Sequence, residues 1–376
     1  MKKRISLLLA VLMLFAALAG CAPAAESTTP EATPVTSETP SASVEATPEA
    51  PSTVVFTDSV NRQVEVPANI TKIAISGPMA QIFVFALAPD KLVGIADEWD
   101  ASAEQFLATE YYNLPILGQL YGGKGELNLE TLLASGAEVV IDVGEPKTTI
   151  VEDLDALQEQ TGLPFVHITA TTATMGDAYR KLGELLNMPT EAAELADFCD
   201  EVYARTQEIA ASVEKVNLLY CLGDTGLNVL AQTSYHAEVI DQLSNNVAVV
   251  EDPSSKGSGN EVDMEQILLW NPDVILFAPD SIYNTVADDP AWQRVSAISS
   301  GKYYEVPSAP YNWMGFPPSV QRCLGMMWMA KLLYPDAAQY DLYTEVTEFY
   351  KLFYHCDITQ EQYDALVGNS IGKLAE

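Results

Sequence analysis

The sequence has 376 residues, of which 52 are Asp or Glu and 19 are Lys or Arg, giving a formal net charge of −33 at pH 7. This excess of acid argues against nucleic acid as a partner, because phosphate binding needs clustered Lys and Arg. A cationic or neutral ligand is also easier to accommodate than a free polyanion. The chain is long enough for two compact lobes rather than one core.

The first 21 residues have the pattern of an export signal. Three basic residues precede an apolar stretch over residues 5–17, which is too short for an ordinary membrane-spanning helix and is followed by small residues. The segment Leu18-Ala19-Gly20-Cys21 resembles a bacterial lipobox, which implies cleavage before Cys21 and lipidation of its thiol. A plain secretory signal with an unrelated cysteine is the alternative.

Residues 22–53 predict a disordered tether. They are rich in Pro, Thr, Ser, Ala and Glu and contain no aromatic residue, so they cannot bury enough apolar surface to fold. A flexible coil of this length reaches about 30 Å on average. We therefore expect an extracytoplasmic protein that is lipid-anchored to the outer face of the cell membrane and stands off from it.

Strand and helix patterns alternate through the rest of the chain and predict an α/β fold. A hairpin over residues 54–66 is followed by β-branched runs and amphipathic helices in turn, which is typical of βαβ units and mostly parallel sheets. One unbroken helical pattern interrupts this alternation. We expect two lobes, each a mostly parallel sheet flanked by helices. The N-terminal lobe covers 54–187, a long rigid helix covers 188–214, and the C-terminal lobe with C-terminal helices covers 215–376.

One segment of the predicted N-terminal lobe recurs in the C-terminal lobe. Residues 126–141 read ELNLETLLASGAEVVI, and residues 261–276 read EVDMEQILLWNPDVIL, with no gap needed to align them. Glu130 matches Glu265 in this alignment. Acids in a first helical turn stabilise a helix by roughly 0.3–1 kcal/mol through its dipole. This effect explains a single glutamate, but it does not explain why the whole segment around the glutamate recurs. The repeat favours two lobes that present equivalent carboxylates to a two-fold partner.

The chain resembles the ABC-transporter solute-binding lipoproteins of the ferric-siderophore, cobalamin and haem uptake group, which carry the Fe/cobalamin periplasmic-binding domain. The resemblance covers residues 54–335, and the segments that carry it are Asp58-Ser59-Val60-Asn61-Arg62, 64–67, 73–76, 91–94, Leu127-Asn128-Leu129-Glu130, Val262-Asp263-Met264-Glu265 and 317–335. It implies a ligand in the cleft between two lobes, and a monomer that delivers this ligand to a permease dimer with its ATPase. By the same resemblance Glu130 and Glu265 dock into basic pockets of the permease, and Glu126 and Glu261 are weaker candidates.

Ligands of open α/β sheets bind beyond the carboxyl ends of the strands, so the loops after the predicted strands are candidates for a binding site. The residues in or beside these loops that we expect to bind ligand are Met79, Trp99, Tyr121, Tyr235, His236, Tyr311, Trp313 and Arg322. Exposed aromatic rings there suit a bulky organic chelate, whereas buried rings belong to the core. Arg322 has two interpretations, a bidentate grip on an anionic chelate or carboxylate and an internal salt bridge.

We expect no resident cofactor and no dedicated metal site. The three histidines show no metal-ligand spacing, and the cysteines after Cys21 form no CxxC pair, although the sequence leaves open whether any two are bridged. A ferric chelate is the favoured ligand. Haem, a corrinoid and a metal oxyanion are the alternatives, with Tyr121 and His236 as ligands of haem iron from opposite lobes.

Enzymatic motifs are weak in this sequence. Ser299-Ser300-Gly301-Lys302 fits the loose SxxK pattern of penicillin-recognising enzymes, but no S-D-N or K-T-G partner follows, and Walker and HExxH motifs are absent. With the resemblance, this predicts the substrate-binding component of an ABC importer, which captures an iron chelate of the siderophore type and is not an enzyme. A surface-anchored hydrolase or a sensor is the alternative from another class.

Overall fold

The computed structural model describes residues 52–121, 126–279 and 281–374. The predictions for the export signal, for Cys21 and for the tether as far as residue 51 lie outside these residues. Within the described ranges, every helix falls short of the length or the apolar character that a membrane span requires.

The N-terminal lobe consists of a hairpin and a three-stranded parallel sheet. The hairpin pairs β1 (Thr53–Thr57) with β2 (Gln63–Pro67), and the sheet has the order β3 (Ile73–Ile75), β4 (Val139–Gly144), β5 (Phe165–Thr169). Strands β3 and β4 are buried along their whole length, as expected for apolar runs covered on both faces. The helices described in this lobe are α1 (Pro78–Leu87), α2 (Thr109–Tyr112), α3 (Leu129–Ala134), α4 (Ile150–Thr161) and α5 (Met175–Leu186).

One long helix, α6 (Pro189–Ser212), connects the two lobes. It has 24 residues and begins with a proline at a position where the missing N–H would have no helical partner. Leu195, Cys199 and Val202 are buried along one of its faces. Because a continuous helix has no flexible strand that can bend, it restricts rotation of one lobe against the other.

The C-terminal lobe contains a six-stranded sheet with a parallel centre. The strand order is β11 (Tyr303–Glu305), β10 (Val274–Phe277), β6 (Asn217–Leu222), β7 (Asn228–Val229), β9 (Asn260–Glu261), and β8 (Asn245–Asn246) also pairs with β6. Strands β6, β8, β10 and β11 pair in parallel, whereas β7 and β9 pair antiparallel. The helices described in this half are α7 (Glu238–Leu243), α8 (Met264–Trp270), α9 (Ser296–Ser299), α10 (Arg322–Leu333), α11 (Leu342–Phe353) and α12 (Gln360–Val367).

The C-terminal helices join both lobes into one apolar core. Phe353 of α11 packs edge-on against Phe198 of α6 with 5.4 Å between ring centroids. Tyr350 packs in the same way against Phe106 of the N-terminal lobe, at 5.2 Å. A single buried cluster therefore includes the hairpin, α6 and α12. The predicted fold class, an α/β chain of two lobes with mostly parallel sheets joined by one long helix, is confirmed.

Candidate functional site

The carboxyl ends of the parallel strands in both lobes open onto a cleft. Ser76 follows β3, Gly223 follows β6 and Ala278 follows β10, and all three residues line cavities there. This edge of an open α/β sheet is where ligands bind. A main cavity of about 620 Å³ lies on the side of the C-terminal lobe, and a small cavity of about 90 Å³ lies on the side of the N-terminal lobe.

The main cavity is lined by neutral groups and one acid. Its described lining is Leu222, Gly223, Asn228, Gly257, Ser258, Ala278, Pro279, Ser308, Pro310, Tyr311, Asn312 and Phe316 from the C-terminal lobe, and Asp100 from the N-terminal lobe. Two hydrogen bonds lower the pKa of the Asp100 carboxyl. The larger effect comes from the hydroxyl of Ser102 and the smaller one from its backbone N–H. The described lining therefore carries one negative charge and no positive charge.

Tyr311 is the predicted ligand residue that lines the main cavity. Its hydroxyl accepts a hydrogen bond from Gln81 Nε2 at 3.0 Å, and its ring lies 5.6 Å from that of Trp99. Burial raises the pKa of Tyr311, so the hydroxyl stays protonated at neutral pH. The neighbouring Asn312 donates from Nδ2 to the hydroxyl of Tyr220 at 3.0 Å. These hydrogen bonds hold one wall of the cavity in a fixed geometry.

Three other predicted ligand residues, Met79, Tyr121 and Tyr235, line the small cavity together. The Tyr121 hydroxyl donates a hydrogen bond to Asp153 Oδ2 at 2.7 Å. Burial raises the pKa of Tyr121, and this hydrogen bond raises it further. Gly144 ends β4 with a φ of 143°, and a Cβ at this position would lie 2.9 Å from Met79 Cε. The positive φ favours glycine at this position, and the absence of a Cβ leaves room for the end of the Met79 side chain.

The wall of the small cavity also includes the carboxylate of Asp142, which is hydrogen-bonded to two buried side chains. Asp142 Oδ2 lies 2.6 Å from His167 Nδ1, and Asp142 Oδ1 accepts a hydrogen bond from Ser76. His167 is fully buried, as expected of a core histidine with a partner. Glu145 and Lys147, both exposed, line the same cavity, so its charged groups are of both signs.

Arg322 is buried, and both of its terminal nitrogens, Nη1 and Nη2, donate to protein groups. Its Nη1 donates to the hydroxyl of Thr172 at 2.8 Å and to Glu238, and its Nη2 donates to the carbonyl oxygen of Tyr235. The side chain has no exposed surface. The expected grip of Arg322 on a ligand is therefore corrected to the alternative, an internal salt bridge. Because Thr172 belongs to the N-terminal lobe, the hydrogen bond from Arg322 to Thr172 joins the two lobes.

Two tryptophans and a histidine also lie outside the cavity linings. Trp313 is 0% exposed, and Trp99 is 5% exposed and donates its indole N–H to the carbonyl oxygen of Tyr111 at 3.1 Å. Their expected ligand contacts are corrected, because both rings are packed in the core. His236 stacks on Phe316, a lining residue of the main cavity, with 5.1 Å between centroids, but is not itself among the lining residues. Burial lowers the pKa of His236 to about 4, so its imidazole is neutral at pH 7.

Metal-ligating groups do not converge in the described part of the chain. No group of three or more His, Cys, Asp or Glu residues there has the arrangement needed to hold a metal ion. The four described cysteines are unbridged; they are Cys199, Cys221, Cys323 and Cys356.

Sequence reasoning missed part of the main cavity. Asn228, Gly257 and Ser258 contribute to it from a two-residue strand and from a loop, neither of which has a periodic pattern. A Cβ at Gly257 would lie 3.1 Å from Phe316 Cε1, so glycine lets this loop pass close to the ring, but a single loop glycine does not reveal that contact in the sequence.

The repeated glutamates lie outside the cleft lining, in the first turns of two short helices. Glu130 of α3 and Glu265 of α8 are both exposed. The side chains of Asn128 and Asp263 cap these helices by accepting a hydrogen bond from the backbone N–H three residues later, at 2.9 and 2.8 Å. Each helix leads into an interior strand of its sheet, β4 or β10, that pairs in parallel with both of its neighbours.

Two lobes on one connecting helix, with cavities at the facing sheet edges, define a solute-binding protein. Comparison with known proteins gives the family: a family model described as periplasmic binding protein matches residues 84–310. The chain belongs to the periplasmic binding protein family, and it is extracytoplasmic.

Individual relatives extend the match over most of the chain. The molybdate-binding protein MolA of Haemophilus influenzae is 25% identical over 332 residues, which cover 80% of this chain and 90% of MolA. An ABC transporter solute binding protein from Sulfurospirillum deleyianum is 28% identical with a TM-score of 0.76, over 83% of this chain and 98% of that one. A periplasmic solute binding protein from Veillonella parvula is 25% identical with a TM-score of 0.70, over 85% and 98%. The resemblance to solute-binding proteins rather than enzymes is confirmed.

Proposed function

We propose that this protein is the receptor of an ABC importer and captures a neutral or cationic metal chelate, of the ferric-siderophore type, in the cleft between its lobes. The main cavity is the observation that carries this proposal. Its volume of about 620 Å³ falls within the range of roughly 300–1,000 Å³ that suits organic ligands of moderate size. A chelate bound there meets Tyr311, Phe316 and neutral hydrogen-bonding groups.

The charges around the cleft favour a ligand without excess negative charge. Asp100 is the charged residue of the main cavity lining, and the buried cation Arg322 is already paired with Glu238. An anion entering this cavity would lose hydration and gain no free cation from the described lining, which makes its binding costly. A neutral chelate avoids this cost, and a cationic one is attracted by Asp100.

Delivery to the permease is assigned to Glu130 and Glu265. Their exposure and their equivalent positions on α3 and α8 support a pair of carboxylates that engage cationic sites on two permease subunits. The lipid on Cys21 would keep the receptor near these subunits, and the tether would let it reach them.

A binding panel tests the proposed ligand class. We would titrate the purified protein by calorimetry with a ferric hydroxamate, a ferric catecholate, haemin, cobalamin and molybdate. The proposal expects a dissociation constant in the micromolar range or below for a ferric chelate without net negative charge, such as the ferric hydroxamate, and none for molybdate. Binding of the anionic ferric catecholate alone would contradict the charge assignment. Binding of molybdate alone would overturn the chelate assignment.

A metal oxyanion is the second candidate, and the match to molybdate-binding MolA favours it. In this chain such a ligand would depend on neutral donors, such as Asn228 Nδ2 and the hydroxyl of Ser258, since the main cavity lining described lacks a cation. Asn228→Ala would then abolish molybdate binding. The same substitution would reduce binding of a large chelate only in part, because the chelate has many other contacts.

A further inference from the structure

A second large depression lies on the C-terminal lobe. This depression, here called the lateral groove, has a volume of about 660 Å³ and lies between α8, the loop after β6 and residues 282–292. Its apolar lining includes Leu227, Met264, Ile282 and Trp292. The groove is thus as large as the main cavity.

The rim of the lateral groove is acidic. Asp224, Asp288 and Asp289 line it, all three side chains are exposed, and none of the described lining residues is basic. Asp289 Oδ1 accepts the backbone N–H of Ala291 at 2.7 Å, whereas neither Asp224 nor Asp288 has a salt bridge among the described residues. An apolar floor between unpaired carboxylates is complementary to a segment that carries both apolar and basic side chains.

We propose that the lateral groove binds a basic, amphipathic segment of the permease, so that the C-terminal lobe docks through this groove as well as through Glu265. This inference rests on the proposed function. Continuity with the docking helix supports it, because Met264 lines the groove and immediately precedes Glu265. The two lobes then present different surfaces to the two permease subunits, which fixes the orientation of the receptor on a two-fold partner.

Other occupants fit the charges less well. The tether cannot neutralise the rim, because residues 22–51 contain five Glu and no Lys or Arg. A second copy of the chain brings a further net charge of −33, and anionic lipid headgroups repel the same carboxylates. A cationic segment of another protein is the occupant that these charges select.

Site-specific photo-crosslinking tests the groove in cells that make the importer. The photoreactive residue p-benzoylphenylalanine would replace Ala291 in the groove, Gln266 beside Glu265, and Glu159 on α4 as a control, each in the full-length chain. We expect crosslinks to a permease subunit, identified by mass spectrometry, from positions 266 and 291 and none from position 159. A crosslink from 266 without one from 291 would overturn the groove and leave the proposed function intact. If neither position 266 nor position 291 crosslinks to a permease subunit, both proposals are overturned. If position 291 crosslinks instead to a second copy of the chain, the proposed role of the groove is overturned.

A charge test gives a second readout. The double variant Asp288→Asn, Asp289→Asn should bind the permease in nanodiscs about tenfold more weakly than the wild type, with unchanged affinity for its chelate. The matched control Glu152→Gln, Glu159→Gln makes the same charge change on α4 and should bind the permease normally. Equal permease affinity of the two double variants would contradict the groove.

Discussion

Glu130 and Glu265 occupy the same place in two copies of one helix–strand unit. Each is exposed in the first turn of its helix, and in each helix the residue two positions later, Leu132 or Ile267, is buried against its own lobe. Each helix then leads into an interior strand that pairs in parallel with both of its neighbours. The repeat in sequence is therefore also a repeat in geometry. Packing alone does not require an acid at an exposed position, which supports a shared task for the two carboxylates.

The N-terminal caps of these helices should contribute measurably to the free energy of unfolding of the protein. Asp263→Ala removes the side-chain acceptor for the N–H of Gln266 and should lower the free energy of unfolding by about 1 kcal/mol. Asp263→Asn retains an acceptor oxygen and should be nearly neutral. Denaturation in guanidinium chloride checks both variants, and equal stability of the two would show that the cap contributes nothing.

Replacing Arg322 should destabilise the protein without changing its choice of ligand. Arg322→Met removes the bonds to Thr172 and Tyr235 and leaves Glu238 unpaired, but that carboxylate is 31% exposed and can be hydrated. We therefore expect a loss of about 2–3 kcal/mol, at or below the low end of the range for a fully buried pair. Chemical denaturation and the binding panel check this. Normal stability combined with selective loss of anionic ligands would return Arg322 to the binding site.

Stability should depend on pH through His236. Its pKa is about 4 in the folded protein against 6.5 ordinarily, because burial disfavours the charged form. Between these values the unfolded chain binds more protons, so stability is retained above pH 6.5 and falls as the pH drops toward 4, by up to about 3 kcal/mol. His236→Gln should remove this part of the acid sensitivity. Unfolding curves at pH 7, 5.5 and 4 measure it, and parallel losses in both proteins would contradict it.

Two aromatic residues in one loop should respond differently to substitution. Tyr311→Leu removes a ring that lines the main cavity and should weaken chelate binding about tenfold, equivalent to about 1.4 kcal/mol. Trp313→Phe alters a ring with no exposed surface and should lower stability while leaving affinity nearly unchanged. Calorimetric titration and thermal unfolding of both variants check this pair. A larger loss of affinity in the Trp313 variant would relocate the binding site.

The sequence predicted the architecture well because long periodic patterns and the repeat both reflect packing. The long helix was expected over 188–214, and the structure has one at Pro189–Ser212. Short elements are less predictable: residues 92–96 have the apolar pattern of a strand, but they form only isolated bridges, Ile73 with Leu92 and Ile95 with Ile116. An apolar run of five residues looks the same in the sequence whether it forms a regular strand or a buried irregular segment.

The cleft residues were harder to predict than the fold. Tyr311 and Trp313 lie two residues apart in one loop, yet one lines the main cavity and the other is buried. Which way a loop side chain points depends on tertiary contacts such as the hydrogen bond from Gln81 to Tyr311. The ion pair of Arg322 with Glu238 likewise joins residues 84 positions apart, so no local sequence pattern predicts it.

The most direct test of the central claim compares ligand affinity with permease binding in the double variant Glu130→Ala, Glu265→Ala. If these carboxylates serve docking alone, the variant should bind its chelate as the wild type does and fail to bind the permease or to support uptake. Glu126→Ala with Glu261→Ala, which alters the neighbouring acids of the repeat, is the matched control and should retain most uptake. Normal permease binding by the Glu130, Glu265 variant, or an equal loss of chelate affinity, would contradict the account.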